Sequence, residues 1–190
     1  MAGAIRRVGR TREILDTEGE MMERGVAHVR PGEGTTLRVM GELVTYKVTS
    51  GQTGGAYSLF EVASQPGTGS QPHVQHRQDE SFYVLEGDYE FLVEDRTLRM
   101  PAGSLLYVPK GNLHGHKNVG EGTGRMLMSQ TPGGLLERFF EEVGEEAPDR
   151  CVPPVPERPE SPAWTREVAA GYGIELPLSP EKRTQPKESK

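Results

Sequence analysis

Residues 67–87 read GTGSQPHVQHRQDESFYVLEG, and residues 103–118 read GSLLYVPKGNLHGHKN. Each stretch places histidine beside glycine and proline and close to runs of strand-forming residues. Four of the five histidines of the chain, all except His28, lie in these two stretches, and the first stretch also carries Glu80. Imidazole and carboxylate groups brought together from separate strands are the usual ligands of first-row transition metals. The two stretches therefore indicate a β-rich fold that carries a candidate metal site.

The segments around these stretches alternate strand-forming runs with turns. Gly87-Asp88 is a tight-turn signal between two strands, and residues 50–55 and 109–112 also have the composition of turns. Strands of this length and spacing predict a sandwich or barrel of antiparallel strands. The predicted strands are 36–39, 43–49, 56–63, 80–86, 89–94, 98–100, 104–108, 113–118 and 124–130.

The alternation of side chains along a strand predicts which donors share a face. His73 and Gln75 point to one side, whereas His76 points to the other side unless a bulge intervenes. His114 and His116 likewise share a face. Because His114 is far from His73 in sequence, it must come from a different strand that is adjacent in the barrel.

Together, the two stretches resemble the two signature motifs of the cupin superfamily. The second stretch matches its motif at every position, and the first differs at Gln75, where the family usually has a second histidine. Residues 53–58, 79–87 and 172–175 further resemble bacterial one-domain cupins of the quercetin 2,3-dioxygenase type. The resemblance covers about residues 36–130 and implies an all-β fold. This fold is the cupin double-stranded β-helix, or jelly-roll barrel, with C-terminal helices packed outside.

The resemblance also implies a ligand set, namely His73, Glu80 and His114, around one divalent transition metal (iron, nickel, cobalt or manganese). Glu80 is then either a ligand alone or also a catalytic general base, as family members suggest. Gln75 is a weak ligand through its carbonyl oxygen, a hydrogen-bonding partner in the second shell of the metal, or a simple replacement. Two histidines and one carboxylate are the ligand set of non-haem iron oxygenases, which keep positions open for substrate and O₂.

Several side chains are candidates for the wall of a substrate cavity, although the phenylalanines and methionines among them also suit a plain barrel core. Phe139 and Phe140 follow a helical period, which favours packing against the barrel over a lid. His28 has no partner nearby in sequence, so we expect it to be structural or on the surface. The candidate substrate-binding residues are Gln75, Phe82, Phe91, His116, Met126 and Met128.

The composition of the chain limits the classes of protein to which it can belong. A chain of 190 residues has room for one domain, and its 24 glycines and 15 prolines favour many tight turns. A formal net charge of −6 argues against nucleic acid or an anionic membrane as partner. No apolar run approaches the ~20 residues of a membrane span. The single cysteine, Cys151, excludes an intramolecular disulfide, so we expect a cytoplasmic protein.

The pattern of apolar and polar residues changes near both ends of the chain. We expect a short helix within residues 11–23, an amphipathic helix over 135–143 that ends at Gly144, and a second short helix over about 161–170. The predicted division is an N-terminal extension (1–30), a cupin barrel (31–132), a helical C-terminal extension (133–180) and a disordered tail (181–190).

The resemblance implies a metal-dependent dioxygenase that cleaves or oxygenates a flavonol-like or polyketide-like hydroxylated ring compound with O₂. The partner would be a small, apolar, oxygenated substrate. A non-catalytic cupin that binds a small molecule and a metal-dependent isomerase or cyclase are the alternatives. Cupins commonly exchange N-terminal strands, so the resemblance also implies a homodimer in which residues 30–50 complete the sheet of a partner.

Overall fold

Antiparallel strands make up most of the described chain. The structure is a computed structural model that describes residues 14–15, 21–22, 26–154 and 163–177. Its helices are α1 (Ser50–Thr53), α2 (Leu135–Val143) and α3 (Ala163–Gly171). Its strands are β1 (Ile14–Leu15), β2 (Met21–Met22), β3 (Thr36–Val39), β4 (Glu42–Val48), β5 (Ser58–Ser64), β6 (His73–Gln75), β7 (Asp79–Glu86), β8 (Asp88–Val93), β9 (Arg96–Pro101), β10 (Leu105–Val108), β11 (Leu113–Asn118), β12 (Gly124–Thr131), β13 (Glu145–Glu146) and β14 (Ile174–Glu175).

The strands form two main sheets with a shared core. The larger sheet has seven strands in the order β10-β7-β12-β5-β4-β3-β13, and the smaller has five in the order β14-β6-β11-β8-β9. Neighbouring strands are antiparallel throughout both sheets. This arrangement confirms the predicted all-β jelly-roll fold, and the helices make up only a small part of the described chain.

Alternating burial along the strands builds the core between the sheets. On β7, Phe82 and Val84 are buried, whereas Tyr83 and Leu85 are exposed. From the smaller sheet, Phe91 packs against Phe82 with ring centroids 5.0 Å apart. Each fully buried side chain of this size contributes roughly 1.5–3 kcal/mol to stability. The two-residue alternation predicted from the sequence therefore determines which side chains face the core.

Helix α2 closes one side of the barrel, as its amphipathic pattern predicts. Phe139 and Phe140 are buried, and the backbone N–H of Gly144 caps the helix by donating to the carbonyl of Phe140. The Tyr46 hydroxyl donates to the carbonyl of Glu137 at 2.9 Å and ties the helix to β4. The buried Glu137 carboxylate also accepts hydrogen bonds from Ser50.

The chain returns to the barrel at its C-terminal end. Helix α3 includes most of the residues predicted to form the second C-terminal helix. Strand β14 then pairs with β6, with Ile174 opposite Gln75. Because β6 carries His73, the C-terminal segment lies beside a predicted metal ligand. The predicted tail, 181–190, and much of the linker before α3 lie outside the described residues.

Two local predictions are wrong. Residues 50–55 are not a simple turn: Thr49 and Gln52 form a capping box, and α1 ends at Gly54 in the left-handed conformation, with φ 63°. Within 11–23, the described residues belong to β1 and β2, which pair with each other, rather than to a helix. Pairing between strands thus replaced the local helical pattern there.

The expected homodimer and the cytoplasmic location stay predictions. In the described chain the outer edge of β3 pairs with β13, and β10 forms the other edge of that sheet. In the part of the chain that the structure describes, every helix is too short or too polar to cross a membrane.

The loop before β6 lies against the backbone of β11. This contact fixes the position at which the chain enters β6, the strand that carries the predicted ligand His73. The N–H of Asn118 donates to the carbonyl of Thr68 at 2.8 Å, and the N–H of His116 donates to the carbonyl of Ser70 at 3.2 Å. At Gly69, an added Cβ would lie 2.0 Å from the carbonyl oxygen of His116. This close approach requires glycine.

Gly69→Ala should therefore lower the free energy of unfolding by at least about 1–3 kcal/mol, because the strand backbone cannot yield to a new methyl group. Gly122→Ala is the matched control, since a Cβ there meets no atom within 4 Å. We expect the control to stay within about 0.5 kcal/mol of wild type in urea unfolding. Equal midpoints for the two variants would contradict this account of the loop.

Candidate metal centre

Three strands from both sheets converge on the predicted donors. His73 on β6 lies opposite His114 on β11, in the smaller sheet. Glu80 enters from β7 in the larger sheet, where it pairs with Val108 and Gln130. The site therefore bridges the two sheets and exists only when they are packed together.

The three side chains approach closely enough to share one ion. One donor atom from each of them lies within 4.8 Å of the other two. Glu80 Oε2 lies 2.6 Å from His114 Nε2 and 3.9 Å from His73 Nε2. Together with the ring centroids of the histidines, which are 4.4 Å apart, these distances bring all three predicted donors to one point.

Backbone hydrogen bonds orient both imidazoles toward that point. The Nδ1 of His73 lies 2.9 Å from the carbonyl of Gln71, and the Nδ1 of His114 lies 3.0 Å from the carbonyl of Asn112. Since a carbonyl only accepts, each Nδ1 carries the hydrogen, which leaves a lone pair on Nε2 in the neutral ring. This is the arrangement in which histidines bind metals.

The contact between His114 and Glu80 shows that the site suits a bound cation. The Nε2 and Oε2 atoms are both buried, and neither has a hydrogen bond of acceptable geometry within the described residues. Two lone pairs at 2.6 Å repel each other unless a proton or a metal cation lies beside them. The donor set therefore fits a divalent transition metal, and no ion is included in the structure.

The ionisation of the ligands also suits a cation. Burial lowers the pKa of His73 to about 4, helped by the charge of His114, so this imidazole is neutral at pH 7. Burial raises the pKa of Glu80, but the contact and charge of His114 outweigh it and the pKa is lowered. The pKa of His114 is raised: burial lowers it, and Glu80 more than offsets that effect. A metal bound here displaces the proton that His114 and Glu80 otherwise share.

Two glutamines complete the surroundings of the ligands. Gln130 Nε2 donates to Glu80 Oε1 at 3.0 Å, which leaves Oε2 turned toward the histidines. Gln130 was not predicted from the sequence, although it shares the inward face of β12 with Met126 and Met128. Gln75 is buried and lines the cavity beside the donors, where its amide can act as a weak ligand or a hydrogen-bonding group.

The other two histidines of interest lie away from the centre. His76 is exposed and its Nε2 lies 2.9 Å from Glu175 Oε2 in β14, so it faces outward as the strand alternation predicted. His28 is also exposed. Neither is part of the donor cluster.

A cavity of about 80 Å³ adjoins the donors. Of the predicted cavity residues, Gln75, Phe82, His116 and Met128 line it. Phe91 and Met126, which the sequence offered either as cavity residues or as plain core, are not among the residues that line this cavity. Both side chains are fully buried in the core, because they lie where neighbouring side chains already fill the space between the sheets.

The cavity wall opposite the core comes from the C-terminal part of the chain. Phe139 and Phe140 pack on the barrel as predicted, but they also line the cavity, together with Ile174 and Leu176. Our sequence analysis also missed two polar lining residues, Glu42 and Ser70. Glu42 could have been found from its strand position, two residues before the buried Val44.

A wider groove borders the cavity on the outside. Its volume is about 450 Å³, and Ser70, Gln71 and His116 line both spaces. Exposed polar side chains such as Glu90 and Lys117 form its outer rim.

Comparisons with known proteins agree with this architecture. Residues 60–129 match the family model described as Cupin domain. Quercetin 2,3-dioxygenase of Bacillus subtilis (strain 168) is 25% identical over 126 residues, which are 66% of this chain and 37% of that protein. The chain thus matches little more than a third of this relative's length.

Among solved structures, KdgF from Halomonas sp. superposes with a TM-score of 0.52 at 18% identity, covering 58% of this chain and 96% of KdgF. The cupin domain of Cnp3 from Schizosaccharomyces pombe gives 0.50 at 20% identity, covering 72% of this chain and 95% of that domain. At these identities the two structures support the fold alone.

His114→Ala should abolish metal binding, because it removes one of three donors. After loading with Mn²⁺, Fe²⁺, Co²⁺ or Ni²⁺, elemental analysis should find about one ion per wild-type chain and close to none in the variant. His76→Ala is the matched control and should keep its metal, since its side chain is exposed. Equal metal content in the two folded variants would rule out this centre.

Gln130→Leu should weaken metal binding by about 10- to 100-fold, since Glu80 then loses the donor that orients it. Chelator competition measures this affinity. Ser129→Ala, at the neighbouring position on the opposite face of β12, should bind metal like wild type. An unchanged affinity in Gln130→Leu would show that Glu80 needs no such support.

Proposed function

Because the fold is that of a cupin and residues 60–129 match the cupin domain, we propose that this protein is a metal-dependent dioxygenase of hydroxylated ring compounds. The substrates would be flavonol-like or polyketide-like. The observation that carries the proposal is the centre itself, in which two histidines and one carboxylate converge beside a small, largely apolar cavity.

The ligand set supports oxygen chemistry. Three protein donors leave positions on a metal for a substrate oxygen and for O₂, as in the 2-His-1-carboxylate oxygenases. A bound metal would polarise the substrate oxygen and supply the site at which O₂ reacts. His73, Glu80 and His114 would hold this ion, with Gln75 as the additional weak donor or hydrogen-bonding group.

Glu80 suits the role of ligand better than that of general base. Its Oε1 already accepts from Gln130, and its Oε2 faces both histidines. A carboxylate with both oxygens occupied has little capacity to take a further proton from substrate. We therefore assign Glu80 to the metal first, with proton transfer as a secondary role.

The similarity to the Bacillus subtilis quercetin 2,3-dioxygenase supports ring oxygenation as the reaction. Because the match spans a limited part of that protein, the identity of the substrate rests on the site. The walls of the cavity are apolar side chains such as Val62, Met128 and Phe140, which suit a ring and exclude water from the reacting atoms.

The cavity volume limits how a ring compound can bind. A cavity of about 80 Å³ is smaller than the ~150 Å³ that accommodates benzene, and drug-sized ligands need roughly 300–1,000 Å³. The groove of about 450 Å³ beside Ser70 and His116 is within that range. We propose that the oxygenated edge of the substrate enters the cavity and that the rest of the molecule lies in the groove.

Metal-loaded protein should consume O₂ when quercetin or another flavonol is added, and the rate should fall at least about 100-fold in His114→Ala, because the metal is lost. An oxygen electrode with product analysis measures this. No O₂ uptake with any flavonol or polyphenol would refute the dioxygenase. Turnover without O₂ would instead identify an isomerase or cyclase, and binding without turnover a non-catalytic module.

A further inference from the structure

A second buried carboxylate lines the cavity, apart from the metal ligands. Glu42 begins β4, and its side chain is about nine-tenths buried. It lines the same cavity as His73 and Glu80, but it belongs to a different strand, and within the described residues its hydrogen bonds go to Ser64 and His116 rather than to a predicted ligand. A carboxylate in such a place costs free energy unless hydrogen bonds or charges compensate it.

Hydrogen bonds hold this carboxylate in a fixed orientation. Oε1 of Glu42 accepts from Ser64 Oγ and from His116 Nε2, the latter at 2.9 Å. His116 is in turn fixed by Ser70, whose Oγ lies 2.9 Å from Nδ1 and accepts from the His116 backbone N–H at 3.2 Å. His116, Ser64 and Ser70 are therefore positioning residues for Glu42.

The second oxygen of Glu42 has a different environment. Across residues 26–154 and 163–177, every side-chain hydrogen bond recorded for Glu42 involves Oε1. Its Oε2 therefore accepts no hydrogen bond from these residues, and the side chain lines the cavity. An acceptor held in this way favours a ligand that brings its own hydrogen-bond donor.

Glu42 is negatively charged. Burial raises its pKa, but the charge and hydrogen bond of His116 and the hydrogen bond of Ser64 outweigh burial, so the pKa is lowered. The cavity thus presents a fixed anion in addition to the ligand Glu80. A substrate group with negative charge would be repelled at Glu42, whereas a hydroxyl would be attracted.

We propose that Glu42 is a substrate-binding residue that selects ring compounds with a hydroxyl group facing it and rejects compounds with a carboxylate at that position. The inference rests on the proposed function, because it takes the metal centre as the other point at which the substrate is held. Both polar points line the cavity of about 80 Å³, so both would meet the oxygenated edge of the substrate that enters it.

A series of hydroxamates that chelate the metal tests this selection. Acetohydroxamate reports on the metal centre alone, while glycolohydroxamate, 3-hydroxypropanohydroxamate and malonomonohydroxamate add a hydroxyl or a carboxylate without bringing a ring into the small cavity. Isothermal titration calorimetry on Mn²⁺- or Co²⁺-loaded protein gives each Kd. In wild type, at least one hydroxy derivative should bind about tenfold tighter or more than the parent, and the carboxy derivative should bind more weakly.

In Glu42→Gln, the hydroxyl advantage should fall below about threefold and the penalty on the carboxylate should shrink, while the parent compound binds as in wild type. Glu121→Gln is the control: it removes the same charge from the exposed loop between β11 and β12, which lines neither the cavity nor the groove, and should change none of these ratios. Metal content and the thermal midpoint verify that each variant is folded. If Glu42→Gln does not fold, Glu42→Asp carries the test and should lose the hydroxyl advantage but keep the carboxylate penalty.

Two outcomes overturn the inference: hydroxy derivatives that bind wild type no tighter than acetohydroxamate, or an advantage that survives in the folded Glu42 variant. Failure of the proposed function gives a different result. If flavonols cause no O₂ uptake but the hydroxyl preference depends on Glu42, the selection stands and the dioxygenase does not. If flavonols are oxygenated without that preference, only the role of Glu42 is refuted.

Discussion

The contact between His114 and Glu80 is the constraint on which the rest of the site depends. Backbone carbonyls fix the hydrogens of both histidines on Nδ1, so that the lone pairs on Nε2 face a buried carboxylate oxygen. Such a contact is repulsive without a cation or a shared proton. The two sheets hold it in place because each contributes part of the donor set, and their packed core prevents the side chains from moving apart.

The polar groups of the interior are divided between two places, and this division gives the cavity its chemistry. Glu80 faces the histidines that bind the cation, whereas Glu42 is held by His116 and Ser64 at another part of the wall. Apolar side chains line the space between them. A ligand that satisfies both places must combine an oxygen for the metal, a hydrogen-bond donor for the carboxylate and an apolar body.

The C-terminal segment links the closure of this cavity to the metal site. Strand β14 pairs with β6, so that Ile174 lies opposite Gln75, and Ile174 itself lines the cavity. The outward side of the same strand pair carries the contact between His76 and Glu175. His76, which lies next to the position where the cupin motif usually has its second histidine, thus attaches the C-terminal segment to the barrel.

The sequence by itself predicted most strands of the barrel, because the two-residue period is a local property, and it indicated the three donors through the resemblance of its two glycine-bounded motifs to those of the cupins. The same period placed His76 outside. It could not show that Phe91 and Met126 lie in the core while Phe139 lines the cavity, since packing between sheets and helix decides which inward side chains meet empty space. Only the tertiary structure brought Gln130 to Glu80 and His116 to Glu42, because these hydrogen bonds join strands far apart in the chain.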